Sequence, residues 1–151
     1  MSLVDIKITD EKSLLNACDL LHDARRNLSS VSFDQAKGTW RATFTREFFE
    51  DPNLMQTKKV FFIFTRHTFP LAESVLELVG VTSQKIEDRS QIGTFMFNEC
   101  QPVKGAYHLV FCEDMKITLV FRQQPVGRLR DLRLLDRMGT YLSFGNRFRK
   151  R

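Results

Sequence analysis

The stretch Gly105–Gln123, GAYHLVFCEDMKITLVFRQ, alternates with a period of two on both sides of a short acidic turn. Successive side chains of a strand point to opposite faces. Ile117, Leu119 and Phe121 therefore share one face, and Lys116, Thr118, Val120 and Arg122 the other. In the preceding arm Tyr107, Leu109 and Phe111 fall together. The pattern predicts a hairpin, Ala106–Phe111 with Lys116–Phe121, that has one dry face and one mixed face. Its connection lacks the Asn-Gly or Asp-Gly pair of a two-residue turn, so a longer link through Cys112–Met115 is expected.

Most of the chain upstream reads as more of the same sheet. Val4–Ile8 alternates and predicts a short strand. Asp10 is placed to cap a helix over residues 11–25, with Glu11 in its first turn and Leu14, Cys18 and Leu21 on one stripe. Asn27 would stop that helix. Residues 28–33 and 39–46 predict a hairpin closed by DQAKG, in which Gly38 supplies a positive φ. Trp40, Ala42 and Phe44 share a face of its second strand. Residues 47–57 contain Asp51-Pro52-Asn53 and read as a surface loop. The apolar run Val60–Thr65 reads as a central strand buried on both faces, with Pro70 interrupting before the next segment. Residues 71–81 fit a helix by some spacings and a strand by others, and the antiparallel surroundings favour strand. Residues 92–98 predict another strand with Phe95 and Phe97 on one face, and residues 101–105 a turn. Beyond Pro125 and Gly127, the three-residue recurrence of Leu129, Leu132, Leu135 and Met138 suggests a short C-terminal helix ending at Gly139.

These elements define an α+β fold: one antiparallel sheet of about six to eight strands, with an N-terminal helix packed on it. A single helix cannot cover such a sheet. The sheet must curl into a barrel-like or sandwich form, or hide its remaining apolar face against a second copy. At 151 residues the chain suits one domain with a sizeable core, and its 14 phenylalanines fit aromatic packing of that core. No apolar run is long enough to span a bilayer, and Asp5, Lys7 and Asp10 break any signal-peptide core, so a cytoplasmic location without a membrane partner is expected. Three widely spaced cysteines, Cys18, Cys100 and Cys112, suit free thiols in a reducing compartment.

Charge is unevenly placed. Residues 1–126 carry 15 basic and 16 acidic side chains, whereas residues 127–151 carry eight and two. The chain therefore reads as a neutral sheet domain over 1–126, followed by a basic segment over 127–151 that is either part of that domain or an arm. Its basic residues are Arg128, Arg130, Arg133, Arg137, Arg147, Arg149, Lys150 and Arg151, with Tyr141, Phe144 and Phe148 interleaved. Cations neutralise phosphates and aromatics stack on unpaired bases, so this segment is the candidate surface for nucleic acid or another polyanion. The ordinary reading is a solubilising terminus, and no nucleic-acid module motif is present.

Other chemistry-bearing residues are sparse. Cys18 and His22 have a helical spacing that can share a metal, but no second ligand pair accompanies them, and core packing of Cys18 is the simpler reading. His67 and His108 lie near strand ends with no nucleophile signature beside them. Lys58-Lys59 and Arg66-His67 bracket the VFFIF run and read as solvated gatekeepers of an aggregation-prone strand. The glycines are too scattered to cradle a phosphate. No cofactor is implied. The balance points away from catalysis, toward a binding or interaction module that self-associates. Polyanion binding is the alternative, and a small hydrolase or metal enzyme a further one.

Overall fold

The computed structural model describes residues 3–27, 30–61 and 63–144. In chain order it contains β1 (Asp5–Ile8), α1 (Glu11–Leu20), β2 (Arg25–Asn27), β3 (Val31–Asp34), β4 (Thr39–Glu47), a 3-10 turn (Pro52–Leu54), β5 (Gln56–Val60), β6 (Phe64–Asp88), β7 (Thr94–Val103), β8 (Ala106–Phe111) and β9 (Met115–Phe144). All strands join one antiparallel sheet. Six of them close a circuit, β9-β8-β7-β2-β4-β6 and back to β9. Closure hides much of the apolar face that one helix could not cover.

Two long strands form the spine. β6 and β9 pair from Asp88 opposite Met115 at one end to Phe64 opposite Phe144 at the other. Strands of this length do not stay flat, and four register shifts interrupt the pairing, including those at Pro70/Ala72 and Val79/Val81. Each irregularity bends the strand and adds twist, which lets one element serve first the barrel and then an extension beyond it. At the crossing of β1, β9 and β6 the backbones come so close that only Gly127 fits: a Cβ there would lie 2.0 Å from the Glu77 carbonyl oxygen.

The core follows the alternation. Ile117, Leu119 and Phe121, Leu109 and Phe111, Phe95 and Phe97, and Trp40, Ala42 and Phe44 all point inward and are buried. Phe97 meets Phe111 edge to face at 5.3 Å and Phe44 at 6.0 Å. The α1 residues Leu14, Ala17 and Cys18 join the same cluster. Asp10 caps α1 as expected, accepting from the Ser13 backbone N–H at 2.8 Å, while the Ser13 hydroxyl accepts from the backbone N–H of Asp10.

Four expectations are corrected. The helix ends at Leu20, and Arg25–Asn27 is a strand that seals the barrel between β7 and β4. Pro70 does not interrupt: it lies inside β6, where its carbonyl accepts from Phe48 N–H at 3.0 Å. Val60–Thr65 is no buried central strand. Val60 pairs with Phe64, and Phe61 and Ile63 lie in the turn from β5 to β6, 80% and 53% exposed. Residues 129–138 form no helix but belong to β9. Leu129 is buried while Leu132 and Met138 are exposed, because the bulges around Asp131 break the period of two and leave a spacing that mimics a helix.

Candidate anion-binding surface

Beyond the barrel, the spine continues as a three-stranded ribbon: β5, the β6 residues 64–70 and the β9 residues 138–144. The register decides its faces. Lys58 lies opposite Arg66, and Arg66 opposite Leu142; Gln56 lies opposite Thr68, and Thr68 opposite Thr140. These residues share the outer face. The other face carries Thr65, His67 and Phe69, all buried, and the connection after β4 packs there, with Phe49 and Phe69 rings 5.0 Å apart. Phe69 also covers its cross-strand neighbour Gly139, whose missing side chain leaves room for the ring.

The outer face holds an open depression of ≈ 440 Å³ lined by Gln56, Thr57, Lys58, Arg66 and Thr68. Among the described residues, no ion pair or hydrogen bond engages the Lys58 or Arg66 side chain. Like charges directly opposite across two strands repel, so the pair is destabilising until an anion lies between them. The surrounding sequence supplies none. Residues 56–70 and 138–151 contain seven basic side chains and no acidic one, and the remainder of the chain contains 16 basic and 18 acidic.

The sequence-derived arginine set does not gather here as a whole. Arg128 makes a bidentate pair with Asp5 across β1 and β9, with Nε 2.6 Å from Oδ1. That pairing holds the Asp5 carboxyl below the usual carboxylate range and raises Arg128. Arg133 Nε donates to Glu73 at 2.7 Å. Arg130, opposite Asp5 and Val75, adds to the pull on the Asp5 carboxyl. These three belong to the barrel section of β9, and two of them are already neutralised. Arg137 is exposed just before the ribbon. Arg147, Arg149, Lys150 and Arg151 lie outside the described residues. They follow Phe144, which pairs with Phe64 beside the β5–β6 turn.

Lys58, Lys59 and Arg66 read from sequence as gatekeepers at the ends of a buried strand. The structure makes them neighbours across a hairpin instead. The signal present in the sequence is the charge pattern: residues 56–70 hold Lys58, Lys59 and Arg66 and no acidic side chain.

The remaining candidates do not converge. Cys18 is buried in the core, where a hydrogen bond with Cys100 and desolvation raise its thiol well above the usual range. His22 lies past the helix end, its Nδ1 2.7 Å from the Asn98 carbonyl oxygen, so the helical spacing that would have aligned it with Cys18 is lost. His67 is buried in the ribbon, stacked on Tyr141 with ring centroids 4.8 Å apart and Nε2 2.7 Å from the Ser143 hydroxyl. His108 sits on β8 opposite Gln101 and Thr118, in the barrel. Among the described residues no group of three or more His, Cys, Asp or Glu side chains gathers as a metal ion would require, and no helix is long and apolar enough to cross a membrane.

One buried group stands apart from all of these. Arg26 points into the barrel and is 4% exposed, and Nε and both terminal nitrogens have no hydrogen-bond partner among the described residues. Its guanidinium lies 4.7 Å from the Phe111 ring centroid and 5.8 Å from that of Phe44. Burial pushes its pKa down to about 10, which leaves it charged at neutral pH. The ring faces supply part of the stabilisation that water would give. Comparison with family models, with curated proteins and with solved structures finds no match to this chain.

Proposed function

We propose that the chain is a non-enzymatic binding module that takes a polyanion on the outer face of the β5–β6–β9 ribbon. The observation that carries this reading is the pair Lys58 and Arg66, directly opposed and without a counter-ion among the described residues, on a segment of the chain that has no acidic side chain. Arg147, Arg149, Lys150 and Arg151 extend the same basic segment in sequence and are part of the proposal. Self-association of the chain is a separate expectation, which sedimentation of the full chain would read. The outermost strand, β5, also carries two lysines, which discourage edge-to-edge pairing with another copy.

The test is fluorescence anisotropy with labelled oligothymidine across a salt series. The full chain should weaken steeply between about 50 and 200 mM salt as counterions compete. The double variant K58E/R66E should bind about tenfold or more weakly, and its log–log salt slope should be shallower by about two. Removal of residues 145–151 should flatten the slope further. Equal affinity and slope for the parent chain and K58E/R66E would refute the ribbon as the binding surface.

A further inference from the structure

The turn that closes β5 onto β6 has an unusual composition for its position. Two of its side chains, Phe61 and Ile63, are 80% and 53% exposed, and Leu142 on the adjoining strand is 61% exposed. Singly scattered apolar residues are ordinary on a protein surface, but a projecting apolar apex is not. The backbone sharpens the point. Phe61 has φ 49°, a left-handed conformation that glycine or asparagine takes with little strain and an aromatic residue does not. An apolar side chain is thus held at the apex where relaxed turn chemistry would put a small or polar one. Directly behind it lie Lys58, Lys59 and Arg66, all exposed, in a stretch free of acidic residues.

An apolar tip with a basic collar fits an anionic lipid surface. The tip residues enter the acyl boundary, and the cations remain at the depth of the phosphates. A nucleic acid would use the collar equally well but gives an exposed Ile63 little to contact, because an aliphatic side chain does not stack on bases. We infer that the polyanion is an anionic membrane surface, with Phe61 and Ile63 inserting at the interface and Lys58, Lys59 and Arg66 contacting lipid phosphates. This names the partner for the ribbon proposed above and rests on that reading. It requires no membrane-spanning segment.

The test uses the full chain, sedimented with vesicles of phosphatidylcholine alone or of phosphatidylcholine with phosphatidylserine, beside the oligothymidine assay. Of the two vesicle types, binding to the phosphatidylserine vesicles and not to phosphatidylcholine alone, weakened by salt, is expected. F61S/I63S should lower vesicle binding about tenfold or more while leaving oligothymidine binding within about twofold, and K58E/R66E should lower both. Because the tip residues are exposed, F61S/I63S should keep the parent melting temperature. Independently, the Phe61→Trp reporter should shift its emission to the blue on phosphatidylserine vesicles and not on oligothymidine. Oligothymidine binding without vesicle binding, unchanged vesicle binding by F61S/I63S, or an unshifted reporter overturns the lipid assignment and leaves the polyanion reading standing. Binding to neither probe overturns both.

Discussion

Asp131 illustrates how much one residue organises here. Its Oδ1 accepts from Arg46 Nε at 3.0 Å and from the Ser74 hydroxyl at 2.5 Å, and its Oδ2 accepts from Arg46 at 2.7 Å and from the Val4 backbone N–H at 2.9 Å. One carboxylate thereby ties β4, β6 and β9 to the residue before β1. Burial pushes its pKa up, but the hydrogen bonds from Arg46, Ser74 and Val4 outweigh that and hold it below the usual carboxylate range. A folded pKa below the unfolded value of about 3.9 means that the stabilisation is fully present above that value and fades as pH falls through the folded pKa. Asp131→Asn should cost about 3 kcal/mol or more at neutral pH, since it leaves the buried Arg46 poorly paired. The variant should also lose part of the parent's stability change on acidification, as urea titrations at several pH values will measure. Arg26 predicts the opposite sign. Replacing its unpartnered charge by Arg26→Met should leave stability unchanged or raise it by about 1–3 kcal/mol, read as a denaturation midpoint. A marked loss would mean that the contacts with Phe44 and Phe111 outweigh the desolvation.

At the scale of elements, the spine depends on how closely β6 and β9 approach. A Cβ at position 127 would meet the Glu77 carbonyl oxygen and Leu78 Cα, at 2.0 and 2.9 Å, and both are backbone atoms that cannot swing aside. Gly127→Ala should therefore destabilise by about 2 kcal/mol or more. At Gly105 the turn has open space but φ 78°, so Gly105→Ala should cost only about 1 kcal/mol; thermal melts of the two variants give the comparison. The same closeness shows why some elements were legible in sequence and others were not. The hairpin of β8 and β9, the Trp40–Phe44 face and the Asp10 cap obey local rules, and each matches the structure. β2 is three residues long and exists because β7 and β4 flank it, which no local pattern reveals. Along the spine β9 gains two residues on β6 at Pro70/Ala72 and one more at Glu73/Ser74, and the one-residue shift moves the inward-facing set by a residue. The period of two then dissolves into the threefold spacing that suggested a helix over 129–138. The VFFIF run misled for a related reason: composition identifies an apolar segment, while burial depends on what the rest of the chain places around it.

Across the whole molecule, a barrel with slightly more acidic than basic side chains carries a basic ribbon at one end of its spine. The charge asymmetry was visible in sequence, but its location was not. Three of the eight basic residues assigned to the C-terminal segment, Arg128, Arg130 and Arg133, lie on the barrel, two of them in ion pairs. Lys58, Lys59 and Arg66, distant in sequence from that segment, lie in the same ribbon as its residues 138–144. Pairing brings these stretches together, and only the register shows that Lys58 and Arg66, which have no ion-pair partner among the described residues, oppose each other. The proposed binding surface has a definite place on the molecule, and the most direct test is a map. Titrating the ¹⁵N-labelled full chain with oligothymidine at low salt should move amide resonances of residues 56–70 and 138–144, and leave those of α1 and the β7–β8 turn in place. Shifts centred on α1 or on the β7–β8 turn, or no shifts at all, would contradict it.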